Sequence, residues 1–288
     1  METSRRNASA SAGAGTSAIR VALLNVLLAF VGIMFLIPFL WIFSTSLRLP
    51  KNSFSLPPSI LPTTFDFNNY AEVFRQIPFF LFFLNSLKIA VAATLGNIIF
   101  SSMAAYAFAR IRFPGRNVLF LILLSGLMIS NQVTSIPQFI MFAKIHMIDN
   151  SWTLAILWLV NPLGIFLIRQ FMKSIPDSYE EAAFMDGANR WWIFRRIIVP
   201  MSVPAISVSS VMWFIANWND FFRPLLFINS WNKMTLPLGM TVLTGTFGTG
   251  NISAVLAGVT LSLVPGLLIY IFGQKYLLEG LTIGGVKQ

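Results

Sequence analysis

The sequence predicts an all-α fold, a polytopic membrane protein with six transmembrane helices and a short helical segment set on the cytoplasmic side. Three observations carry that prediction. Of 288 residues, 56% are hydrophobic and only 10% charged, far from the roughly one-quarter charged of a soluble domain, so lipid must serve as solvent. Six apolar runs have about the 20 residues needed to cross a hydrocarbon core of about 30 Å. Lysine and arginine, finally, are sorted unevenly between alternate connecting loops.

The runs are Leu23 to Phe43, Ile89 to Phe108, Val118 to Ser135, Leu154 to Gln170, Val203 to Phe222 and Ala254 to Tyr270. Lipid offers backbone amides no partner, and none of the runs alternates like a barrel strand, so each must be helical. With the N-terminus inside, 13 basic residues fall on the cytoplasmic side and 7 on the other, with Arg110, Arg112 and Arg116 clustered in one short cytoplasmic loop. The positive-inside rule then places both termini in the cytoplasm. Residues 1–20, rich in Ser, Ala and Gly, read as a disordered tail, 21–276 as the membrane domain, and 277–288 as a second cytoplasmic tail. The outer segments Ser44 to Leu87 and Arg223 to Ser253 are long, and Tyr70 to Phe82 reads as a short interfacial helix.

Several function classes are excluded by what is missing. A net charge of +10 is spread over loops flanking apolar runs without a basic recognition helix, which argues against nucleic acid. With no Cys and one His, His146, disulfides, thiolate catalysis and a multi-histidine metal centre are ruled out. No stretch fits the phosphate-cradling G-x-x-x-x-G-K-[ST], a metalloprotease H-E-x-x-H or a nucleophile triad, so the chain reads as a non-enzyme needing no cofactor of its own.

The loop between the fourth and fifth runs, Pro176 to Pro200, reads as helix, break, helix. Asp177 or Ser178 suits a helix N-cap, and Glu180 and Glu181 complement the positive end of the helix dipole. Gly187 permits the left-handed turn that ends such a helix. Ala182, Ala183, Phe184 and Met185 form an apolar knob flanked by Glu181 and Asp186, suited to a groove on another protein. Beyond it, Trp191, Trp192 and Phe194 alternate with Arg190, Arg195 and Arg196 as at a headgroup boundary.

Glu181-Ala182-Ala183, three residues, Gly187, nine residues, Ile197, one residue, then Val199-Pro200 resembles the EAA signature of membrane subunits of binding-protein-dependent ABC importers, with Val199 where the family commonly has Leu. Asn85-Ser86-Leu87, Gln132 to Pro137, Trp218 to Phe221 and Gly280 to Lys287 resemble the carbohydrate-uptake branch, of the type of the smaller membrane subunit of the maltose transporter. The resemblance implies a coupling helix from Ser178 to about Ala188, with Glu181, Ala182, Ala183, Asp186 and Gly187 meeting a cytoplasmic ATPase dimer that carries the ATP and Mg. It further implies a second homologous permease, an external solute-binding protein, an inner-membrane location and a sugar or oligosaccharide as solute, with glycerol phosphate-type esters next.

Polar groups inside spans face the bundle interior or a water-filled path. Asn131, Gln132, Asn161, Asn217, Asn219 and Asp220 are the candidates for a translocation pathway, with Asp220 near the outer mouth and paired with Arg223 three residues on. Asn97, Ser101 and Ser102 read instead as packing between helices. Asn161-Pro162 predicts a freed carbonyl and a kink. A secondary transporter or channel is the alternative class; the absence of Asp or Glu well inside any span counts against ion coupling.

Overall fold

The computed structural model describes residues 2–53, 61, 64–245 and 250–285, and the side chains of 20–51, 53, 61, 64–245 and 250–274. Every element among them is helical. The chain divides into two compact units, residues 1–73 with 246–260 and residues 74–245 with 261–288.

In the first unit, α1 (Glu2–Ser46) runs straight into the first span. Residues 2–19, expected as a disordered tail, are thus helical backbone continuous with it. Within Arg20–Ser46 the most apolar window has a mean hydropathy of 2.7 and is not buried at all, so α1 offers lipid an apolar surface on every side. Its far end is fixed by polar contacts. Asn69 on α2 (Asn68–Gln76) donates to the carbonyls of Ser46 and Arg48 at 2.9 and 2.7 Å. The Asn69 oxygen accepts from Asn251 at 3.1 Å, and Asn251 caps the following helix through the Ala254 amide at 3.1 Å.

The second unit is organised around α3 (Phe79–Arg110), 32 residues long and 39% buried over its most apolar window. It begins at Phe79 because Pro78 interrupts the chain after α2. Phe79 to Phe82 therefore belong to the second span, and the expected interfacial helix from Tyr70 to Phe82 is split in two. Against α3 pack α6 (Ser151–Leu157), α7 (Pro162–Ser174) and α11 (Val203–Trp218).

Two of the six expected spans are broken, and a third bend falls just before the fifth. α4 (Arg116–Ser125) with its short 3-10 extension and α5 (Asn131–Lys144) meet at 103°, where a continuous run from Val118 to Ser135 was expected. Ser130 is extended, with its hydroxyl accepting from the Gln132 amide at 3.3 Å, so capping chemistry outweighs the apolar run. α6 and α7 meet at 45°, and the helical segment 190–201 meets α11 at 74°. That segment comprises α9 (Arg190–Ile193), a π-helical stretch from Phe194 to Ile198 and α10 (Val199–Met201). α11 ends at Trp218, short of the expected Phe222. Among the described residues three helices are long and apolar enough to cross a membrane, and up to six spans result with each bent pair taken as one.

The α6–α7 break shows how freed backbone groups are satisfied within a membrane. Pro162 has no amide for the Trp158 carbonyl, which accepts instead from Trp213 Nε1 at 2.8 Å. The Leu163 amide turns to the Asn161 side chain at 3.0 Å, and the Leu159 carbonyl accepts from Asn97 Nδ2 at 3.1 Å. Two side chains on neighbouring helices thereby replace two lost backbone bonds.

After α11, the long segment that follows holds α12 (Phe222–Phe227) and α13 (Leu236–Gly239). Asp149, at φ 58°, ties the α5–α6 turn to this segment. Its carboxylate accepts from the Asn229 and Ser230 amides at 3.0 and 2.8 Å and lies 2.8 Å from Lys233 Nζ. The last helix, α14 (Ile252–Gly285), includes 277–285 of the expected C-terminal tail, whose side chains lie outside the described residues, as do residues 286–288 altogether.

Candidate functional site

The loop between α7 and α9 carries α8 (Ser178–Met185). Its termination follows the expected backbone chemistry. Gly187 has φ 81°, its amide bonds the Phe184 carbonyl at 3.0 Å, and the Ala188 amide bonds Ala183 at 2.9 Å. That pair of bonds is a Schellman turn, which needs a left-handed residue at the position of Gly187. Asn189 then caps α9 by accepting from the Trp192 amide at 2.8 Å.

The start of α8 differs from expectation. Asp177 stands at the N-cap position but makes no capping bond; its carboxylate pairs with Arg110, the last residue of α3. The Arg110 side chain is only 6% exposed, and its Nε lies 3.3 Å from Glu180 Oε1. Nη2 donates to the carbonyls of Met172, at 2.6 Å, and Ile175, both at the C-terminal end of α7, where helix carbonyls lack internal partners. Burial pushes the Glu180 carboxyl above its usual value, against the pull of Arg110 and Arg190.

α8 therefore has two faces. Glu180 and Ala183 are turned inward, Ala183 into an apolar cluster with Tyr106, Ile168, Met172 and Ile193. Glu181, Ala182, Phe184, Met185, Asp186 and Gly187 are exposed, Met185 by 88%. Of the five residues expected to meet a partner, all but Ala183 lie on the open side. Between α8 and α9 runs a groove of about 510 Å³ lined by residues including Tyr179, Ala182, Asp186, Asn189 and Trp192.

The second polar constellation lies at the α11–α12 break. Asp220 and Arg223 form the expected ion pair at 3.3 Å, with side chains only 12% and 11% exposed. Trp158 donates to Asp220 at 3.0 Å and lies beneath the Arg223 guanidinium at 4.2 Å. Arg223 also donates to Asn131 Oδ1 at 3.1 Å, joining α12 to the first turn of α5. Asn217 is buried beside this group, its Nδ2 without a partner, on a cavity of about 10 Å³ shared with Trp158, Asp220 and Thr235. Asn131, Asn217 and Asp220 are thus brought together.

Gln132, Asn161 and Asn219 are not part of that group. Gln132 is exposed and accepts from the Ser130 hydroxyl, Asn161 caps α7, and Asn219 donates back to Ile215 at 2.9 Å. Sequence reasoning passed over Trp158, whose indole is a polar handle in an apolar run. It also used Arg110 only for orientation and Glu180 only for the helix dipole. The i, i+3 spacing of Glu180 and Ala183 places both on one face of α8, a usable sign of burial.

Bent spans, an anchored loop with one open face and a buried polar group at a helix break define a membrane transport component rather than a scaffold. Residues 10–281 match the family described as binding-protein-dependent transport system inner membrane component, and the chain belongs to that family. It is 33% identical over 227 residues to the arabinooligosaccharides transport system permease AraQ of Bacillus subtilis, covering 78% of this chain and 80% of that one. It is 31% identical over 274 residues to the galactooligosaccharides transport system permease GanQ of the same organism, covering 93% and 96%. A chain of a bacterial ABC transporter that imports the acidic polysaccharide alginate matches with a TM-score of 0.77 and 25% identity over 91% of this chain and 98% of that one.

Proposed function

We propose that this chain is a permease subunit of an ATP-driven importer, translocating a sugar or oligosaccharide delivered by an external solute-binding protein. The observation that carries the proposal is the asymmetry of α8, whose inner face is fixed by Arg110 and Ala183 while Glu181, Phe184, Met185 and Asp186 stand open. Exposed apolar side chains flanked by carboxylates on a protruding helix suit a groove on a protein partner. That partner is a cytoplasmic ATPase dimer holding the ATP and Mg, and both termini of this chain then face the cytoplasm. A second, homologous permease completes the path, because six spans alone make a narrow bundle.

Transport proceeds by alternating access, with closure of the ATPases biasing the membrane helices through Glu181, Ala182, Asp186 and Gly187. Asn131, Asn217 and Asp220 line the pathway, closed in the present state by the Arg223 bridge. The carbohydrate class is supported by the oligosaccharide permeases AraQ and GanQ and by the alginate importer. A tagged chain extracted from its native membrane in mild detergent should carry an ATPase and a second permease with it. Recovery of neither, where a control ABC complex survives, refutes the proposal. Gly187→Asp should leave insertion intact and abolish solute-stimulated ATP hydrolysis; normal stimulation would remove α8 from the coupling role.

A further inference from the structure

We infer that Arg110 is the positioning residue that makes α8, α7 and α3 move as one body, so that a displacement of α8 by its partner is delivered directly to the second span. The inference rests on the proposed function and names the joint through which that function is transmitted. Four oxygens on two elements, α8 and α7, converge on one guanidinium carried by α3, three of them as hydrogen-bond acceptors and Glu180 as an ion-pair partner. Nη1 pairs with Asp177 at the start of α8, Nε faces Glu180 at 3.3 Å, and Nη2 takes the carbonyls of Met172 and Ile175 at the end of α7. The guanidinium belongs to the last residue of α3.

The arrangement is rigid for a physical reason. A guanidinium presents its donors in a fixed planar fork, so acceptors gathered along its edges are held in one mutual geometry. An ammonium at the same place is a single rotatable point and cannot hold all four. The inner half of the joint is shut off from water, Arg110 and Glu180 having side chains 6% and 10% exposed, so that pair is little screened by solvent, whereas Asp177, 80% exposed, forms its outer edge. Apolar packing continues the joint inward, since Ala183 of α8, Met172 and Ile168 of α7 and Tyr106 of α3 share one buried cluster. α3 in turn packs against α6, α7 and α11, so what moves α3 reaches the helices that carry Trp158 and Asn217.

The chain has no cysteine, so a pair of introduced thiols is unique within it and can be labelled before the complex is assembled. Ser178→Cys on α8 and Met103→Cys on α3, both exposed, would carry spin labels in the complete complex in nanodiscs. Their separation is measured without nucleotide and after trapping with ATP and orthovanadate. With Arg110 present, the two states should agree to within about 2 Å, the scale of a helix adjustment. In Arg110→Ala the complex should still assemble, and the trapped state should shift α8 relative to α3 by more than that. Arg110→Lys, which keeps the charge and is the milder change for folding, should fall between the two.

A separation that changes between states with Arg110 in place overturns the inference, and so does one that stays constant in both variants. Absence of an ATPase from the complex of the unsubstituted chain is a different result, which refutes the proposed function itself. A role confined to folding would alter yield and leave the nucleotide-dependent part of the separation untouched.

Discussion

Gly187 allows a test in which backbone strain and steric crowding predict different orders of severity. Its φ is 81°, and an added Cβ meets nothing within 4 Å. The cost of Gly187→Ala is therefore the left-handed conformation alone, about 1–2 kcal/mol for an L-residue. Asn adopts that region more readily than Ala, and Val less readily. The expected order of destabilisation is Asn, then Ala, then Val, whereas crowding would rank Asn above Ala by size.

The readout is amide hydrogen exchange in detergent at positions 187 and 188, whose N–H groups bond the carbonyls of Phe184 and Ala183 at 3.0 and 2.9 Å. A penalty of this size lowers the closed-to-open ratio of the turn by about 5- to 30-fold, so exchange at both positions should accelerate by that factor in Gly187→Ala. The amide of Ile193, bonded to Asn189 at 3.0 Å in the next helix, should be unchanged. Unchanged exchange at 187 and 188, or an Asn variant worse than Ala, would refute the account of how α8 ends.

Arg223→Ala removes the partner of Asp220, the bond to Asn131 and the cation over Trp158. Leaving a buried carboxylate uncompensated should cost about 3–5 kcal/mol, seen as a lower thermal aggregation midpoint in detergent, with Arg223→Lys recovering only part. The bonds from Lys233 and Ser230 hold the Asp149 carboxyl below its ordinary value of 3.8. Its stabilisation is complete above that value and is lost as pH falls through the depressed one. Asp149→Asn should accordingly lower the midpoint at pH 7, with the gap to the unsubstituted chain closing progressively below about pH 4. Asn97→Leu leaves the Leu159 carbonyl without its donor and should cost about 1 kcal/mol, the scale of hydrogen bonds between membrane helices.

The six spans were legible because each is an apolar run whose partner is the solvent itself. The breaks within them were legible only where one residue type dictates geometry. Pro162 announces its kink through the amide it lacks. Ser130 does not, because a serine in an apolar run has two outlets of similar energy, a bond back to its own helix or a cap on the next. Gly187 was legible for the same reason as Pro162, since a left-handed turn is a demand on one residue and needs no knowledge of the rest of the chain. Asp177, one of the two expected caps, takes the N-cap position without the capping bond because the competitor for its carboxylate, Arg110, lies 67 residues earlier.

The candidate pathway divides along the same line. An intramembrane polar side chain must find a partner, but the sequence does not say whether that partner lies within its own turn or on another helix. Asn161 and Asn219 settle locally, one as a cap and one on the carbonyl of Ile215. Asn131 and Asp220 are joined only through Arg223, itself positioned by the break after α11. Asn97 reaches across 62 residues to the Leu159 carbonyl. An asparagine that repairs a kink and one that lines a path are alike in sequence; what separates them is whether an orphaned carbonyl lies within reach. Asn97 has one, and Asn217 leaves its amide nitrogen unpaired beside Asp220. On the proposed pathway, that unpaired donor, on a cavity lined also by Asp220 and Trp158, is therefore the group with most to gain from a hydroxyl-bearing solute.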